Sequence, residues 1–224
     1  MKNKGVSEII AVVLILLMSA GLLGTALNWG LPMISKRQDT TTSERIYDYF
    51  NPENSDSIGR KMEFVAKNGG QETFISTVDG LWSLTCTSAD QGDGCTEYDI
   101  LQFVTTSKVS NIAVSTVEND IGWISMSSGG SCPPVAGSVG IDDSYVVCAK
   151  SEPFGEGFNM TYRLWFRELY DYSDTKIWEI GLVKHESGEL IKNTNIVKII
   201  KNGVTTGSQS GKTLITTEIK ILLL

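Results

Sequence analysis

The sequence predicts an α+β protein: a long N-terminal hydrophobic α-helix followed by an antiparallel β-rich, sandwich-like globular domain. Three observations carry that prediction. Residues 9–34 contain no charged side chain. Beyond about residue 61 the chain breaks into short runs rich in β-branched and aromatic residues, separated by Gly, Asn, Asp and Ser. All four cysteines, Cys86, Cys95, Cys132 and Cys148, fall in that second part.

The apolar run comes first. Ser19, Thr25 and Asn28 are its only clearly polar members. Twenty-six helical residues would span roughly 39 Å, enough for a hydrocarbon core of about 30 Å. A helix buried in a soluble domain is seldom apolar on every face for so long. Trp29 stands near the outer end, where an amphipathic ring suits a membrane interface. Ala20 and Gly24 form a small-residue face that lets helices approach closely. Pro32 is expected to kink the helix or to mark where it leaves the membrane. Lys2 and Lys4 precede the run, and Lys36 and Arg37 follow it. The leading lysines place the N-terminus on the cytoplasmic side and the rest of the chain outside.

Three readings compete for this segment. A cleaved secretory signal has an apolar core of about 7–15 residues, and this run is longer. A plain signal anchor fits its length. The third reading rests on the residues around its start: a short basic leader ends in Lys4-Gly5, and Glu8 sits just before the apolar residues. The stretch 4–16 resembles the class III signal peptide of type IV pilins and related archaeal filament proteins. That resemblance covers about 30 of the 224 residues. It implies a leader of residues 1–5, cut between Gly5 and Val6 by a prepilin peptidase on the cytoplasmic side. Residues 6–35 would be retained as the membrane-spanning and later filament-core helix. The chain departs from the bacterial pattern, where the acidic residue is the fifth of the mature chain; Glu8 would be the third. A carboxylate at the edge of an apolar helix is costly to bury alone. Glu8 is therefore a candidate assembly residue, paired with the α-amine of Val6 on its own or a neighbouring subunit. The competing reading leaves it solvated in the headgroup region, in the first helical turn.

Residues 36–60 read as a connector, partly helical. Residues 40–50 could extend the helix with Ser43 as a cap, and Asn51-Pro52 should stop it. Strands are expected from about Lys61 onward, in a domain of residues 61–224. Residues 161–167 and 176–183 are two such runs. His185-Glu186-Ser187-Gly188-Glu189 reads as a hairpin turn, and Asn202-Gly203 is the strongest two-residue hairpin signal. The last stretch, 213–224, alternates and ends in three leucines, which a sheet would bury.

Four cysteines allow three pairings. Local pairing, Cys86 with Cys95 and Cys132 with Cys148, is the simplest guess. Free or metal-bound thiols are the alternative, although no Cys-x-x-Cys knuckle occurs. Disulfides would agree with an exported domain. Asn159-Met160-Thr161 fits the N-glycosylation acceptor pattern.

No catalytic, cofactor-binding or metal-ligating constellation is read from the chain. It has one histidine, His185, too little for a histidine metal site or a Ser-His-Asp triad. Asp142-Asp143 reads as loop decoration rather than acid–base or calcium chemistry. The stretch 207–213 has three residues between its glycines where a phosphate loop needs four, and it reads as a hairpin loop. A formal net charge of −7 disfavours nucleic acid. The expectation is a structural, non-enzymatic subunit of an extracellular type IV pilus-like filament for adhesion or motility, with no cofactor. Its partners would be copies of itself, the prepilin peptidase and assembly machinery, and the membrane before assembly. A non-polymerising, signal-anchored surface binding domain is the alternative, and an anchored surface enzyme comes third.

Overall fold

The computed structural model describes residues 4–86, 98–110, 112, 122–127 and 130–224. The chain divides into two compact units, the residues up to Thr41 and Thr42–Leu224. The element that opens both is helix α1 (Lys4–Phe50). Within it, Ile10–Gly30 has a mean hydropathy of 2.5 over 21 residues and is long and apolar enough to cross a membrane. Its side chains stand exposed, Leu16 at 63% and Leu22 at 71%. Its polar members serve the helix itself. The Ser19 hydroxyl donates to the Ile15 carbonyl at 2.7 Å, and the Thr25 hydroxyl to the Gly21 and Leu22 carbonyls at 3.1 and 2.9 Å. No hydroxyl is thereby left to desolvate without a partner. The backbone stays helical on both sides of Pro32.

Within the expected connector of residues 36–60 the helical extension over 40–50 is present, and one detail needs correction. α1 runs on unbroken to Phe50 and stops at Asn51-Pro52, as the proline requires. Ser43 is no cap. It is buried in mid-helix, and its hydroxyl donates to the Val109 carbonyl at 3.1 Å. The second unit begins at Thr42 because Ile46 and Phe50 belong to its core.

The next correction is α2 (Ile58–Asn68), where strands were expected from residue 61. Ser57 caps it in extended conformation, its hydroxyl accepting the Arg60 N–H at 3.4 Å. Gly69 ends it at φ 82°, a left-handed position that suits glycine. Ile58, Met62, Val65 and Ala66 are its buried residues, spaced so as to line one face.

Among the described residues twelve strands follow: β1 (Gln71–Ile75), β2 (Leu81–Thr85), β3 (Ile100–Ser107), β4 (Ile124–Ser125), β5 (Gly137–Ser138), β6 (Tyr145–Phe154), β7 (Gly157–Phe166), β8 (Leu169–Tyr170), β9 (Lys176–Lys184), β10 (Ile191–Asn193), β11 (Ile196–Gln209) and β12 (Lys212–Leu223). They form two six-stranded sheets, β1-β11-β12-β9-β8-β5 and β10-β2-β3-β7-β6-β4. Most pairs are antiparallel; β9 with β12 and β5 with β8 are parallel. One core joins both sheets and both helices: Trp82, Phe103, Tyr162 and Leu164 from the second sheet, Val197, Ile199, Ile219 and Ile221 from the first, with Ile46, Phe50, Met62 and Val65. The fold is therefore α+β, with an N-terminal apolar helix and a largely antiparallel two-sheet domain.

Two hairpin readings are overturned. Asn202-Gly203 lies inside β11, at a register shift between Lys201 and Gly203, so it makes a β-bulge and the strand continues. The true turn is Ser210-Gly211, at φ 53° and 81°. Two central residues with positive φ match the twist of the flanking strands. The stretch 207–213 is thus a hairpin end, as its spacing suggested. The residues 185–189 join β9 in the first sheet to β10 in the second and make no hairpin. β12 buries Ile219, Ile221 and Leu223, as the alternating tail required.

Candidate functional site

The first sheet supplies the floor of an open groove of about 850 Å³. Side chains alternate along a strand, so Thr217 shares the core-facing side of β12 with Ile219, and Trp178 and Ile180 share that of β9 with Leu182. Here that face runs past the sandwich core, and Val204 of β11 continues it. α2 forms one wall with Phe64 and Lys67, and residues 139–144 form the other with Ile141. Trp178 is 41% exposed, Phe64 54% and Ile141 85%.

Arg60, Glu63, Asp142 and Asp143 of this groove are already engaged. The Arg60 guanidinium meets Glu63 at 2.8 Å and Asp143 at 3.1 Å, and donates to the Pro52 carbonyl at 2.6 Å. Glu63 accepts the Ser144 hydroxyl at 2.7 Å. Asp142 accepts the Ser138 N–H at 2.8 Å and meets Arg167 at 3.4 Å. The Asp142-Asp143 pair thus ties its loop to α2 through Arg60 and to Arg167, just beyond β7. Beneath it the Tyr145 phenol is fully buried; burial pushes its pKa up, against the pull of Arg60. Gly59 lets α2 lie on that ring: a Cβ there would sit 2.4 Å from it. With aromatic and aliphatic walls, and with Arg60, Glu63, Asp142 and Asp143 held in ion pairs, the groove is suited to holding a surface rather than to proton transfer.

His185 lies apart from the groove. Its Nδ1 accepts the Ser187 N–H at 3.2 Å and lies 2.9 Å from the Ser187 hydroxyl in an exposed turn. Among the described residues no cluster of three His, Cys, Asp or Glu side chains is placed to hold a metal.

Cys132 and Cys148 are disulfide-bonded, with Cα atoms 6.0 Å apart, as the local pairing anticipated. Cys86 is also disulfide-bonded, and Cys95 lies outside the described residues. Cys148 and Cys132 belong to a second small apolar cluster with Ile100, Val146, Trp165 and Trp123, and the Arg163 guanidinium lies 4.2 Å from the Trp123 ring centre. Asn159 sits in mid-strand on β7, between Thr106 of β3 and Glu152 of β6, and is half-buried. Gly5, Val6 and Glu8 lie in the first turns of α1, and their side-chain environment is outside the described residues.

No family model, curated protein or solved structure matches the chain. The sequence does not announce the groove, because one wall is α2, which falls where the sequence predicts strands. Ser57 at the cap and the spacing of Ile58, Met62, Val65 and Ala66 were the signal that could have found it.

Proposed function

We propose that this protein is a structural subunit of a type IV pilus-like surface filament, anchored in the membrane before assembly and polymerised through its N-terminal helix. One observation carries the reading: an uncharged 21-residue apolar stretch with exposed side chains in α1, entered directly from Lys4-Gly5 and Glu8. Exposed apolar surface of that extent is stable in lipid or against copies of itself. The paired cysteines suit an exported domain. In this reading the prepilin peptidase cuts after Gly5, and Glu8 pairs with the Val6 amine as helices pack. The protein does no chemistry of its own, and Asn159 is its candidate glycan acceptor.

Intact mass and N-terminal sequencing of protein from membranes or sheared surface material test the reading. A chain starting at Val6 supports it, and one starting at Met1 overturns it in favour of a signal anchor. A start near residue 20 or later means an ordinary secreted domain. Added hexose mass on the peptide bearing Asn159 would report the glycan. The groove favours a second reading, a signal-anchored binding domain, in which the α1 helix never leaves the membrane.

A further inference from the structure

We propose that two copies of this chain join edge to edge through β11, in a two-fold antiparallel pairing centred on Thr206. β12 covers β11 along one side from Val197 to Gln209, but β1 covers the other side only from Ile196 to Ile200. Among the described residues, 203–209 therefore run for about 24 Å with no partner strand on that side, and the N–H and C=O groups of alternate residues face outward there. This stretch reads Gly-Val-Thr-Thr-Gly-Ser-Gln, without a charge or a proline.

Among the described residues, the outermost strands elsewhere are defended in the usual ways, by shortness, charge or proline. β4 and β5 have two residues each and β10 has three. β1 carries Glu72. The half of β6 beyond its pairing with β4 carries Lys150, Glu152 and Pro153.

A second copy is the occupant that this pattern selects. A two-fold pair sets each residue opposite one from the same short stretch, so a charge there would meet its like. The segment avoids that by carrying none. Centring on Thr206 sets Val204 opposite Ser208 and Thr205 opposite Gly207. It also keeps equivalent faces together, because Val204, Thr206 and Ser208 all lie on the groove side of β11. The two grooves then flank one continuous sheet, and Val204, which is 54% exposed, gains a neighbouring strand.

The contact stands apart from the filament reading. Neighbours in a polar filament are related head to tail, so a two-fold contact joins unassembled copies or copies in different filaments. The test uses the full chain in detergent, with mass measured by light scattering across a concentration series. Wild type is expected to dimerise. Thr206→Lys and Thr206→Glu, at an exposed position, should each weaken the dimer about tenfold or more, and mixing the two variants should restore it. Near-UV circular dichroism checks that both variants keep their packing. Three results would overturn the proposal: a wild type with one copy per micelle throughout, a dimer unchanged by both substitutions (which would place the contact in α1), or a Lys–Glu mixture that stays monomeric.

Discussion

Replacing Phe50 by alanine removes the ring on which the last turn of α1 meets the second sheet. Phe50 is 1% exposed, stacks on Tyr162 at 5.1 Å, and lies 5.9 and 6.1 Å from the Trp82 and Phe103 rings. Truncating a buried phenylalanine costs about 3–5 kcal/mol through lost transfer energy and the cavity left behind. Three aromatic neighbours push the value to the upper part of that range. Alanine returns about 0.5 kcal/mol in helix propensity. The expected loss is about 4 kcal/mol, which for a unit of this size lowers the melting midpoint by about 8–16 °C. Thermal melts of the full chain in detergent, followed by tryptophan fluorescence, measure it. Tyr47→Ala is the control: Tyr47 lies one turn earlier and is 41% exposed, so its loss should stay below about 1 kcal/mol. If Phe50→Ala matched the control, the last turns of α1 would not belong to the core of the second unit, and the boundary at Thr42 would be wrong.

Three further outcomes are expected. The Cys132–Cys148 bond spans 16 residues, so Cys132→Ala/Cys148→Ala should cost about 3 kcal/mol by loop entropy, read from urea midpoints. Gly59→Ala should destabilise the domain although alanine is the better helix former, because the new methyl would sit 2.4 Å from the Tyr145 ring; a melt equal to or above wild type would show that the ring can retreat. Asp171 accepts hydrogen bonds from the Ser173 hydroxyl and from the N–H groups of Thr175 and Lys176, which hold its pKa at about 2. A depressed folded pKa contributes stability above the unfolded value, so the 171–176 turn should hold at pH 5 and loosen as pH falls from about 4 to 2. Amide shifts of Thr175 and Lys176 report this, and Asp171→Asn should abolish the transition.

Much of the architecture was legible because single segments dictate it. An uncharged run of 26 residues reads as one long apolar helix, and residues 9–34 showed it through composition alone. Period-two alternation placed β7 and β12, and a run of β-branched and aromatic residues placed β9. Cys132 and Cys148 are near enough in sequence for local pairing to be the natural guess.

What sequence could not decide was set by what each segment meets. Asn202-Gly203 has the best hairpin chemistry in the chain, yet β12 runs alongside past it, so the same dipeptide serves as a bulge and the turn falls to Ser210-Gly211. Residues 185–189 look like a hairpin turn, but their flanking strands belong to opposite sheets. The groove has no local signature, because Phe64, Ile141, Trp178 and Val204 come from four distant segments. The free edge of β11 is likewise a property of the sheet, since it exists only because β1 begins at Gln71, opposite Ile200. Local chemistry determined the apolar helix and the strand periods. The groove, the exposed edge and the merging of α1 into the core had to await tertiary structure, because long-range pairing decides which faces and edges are left over.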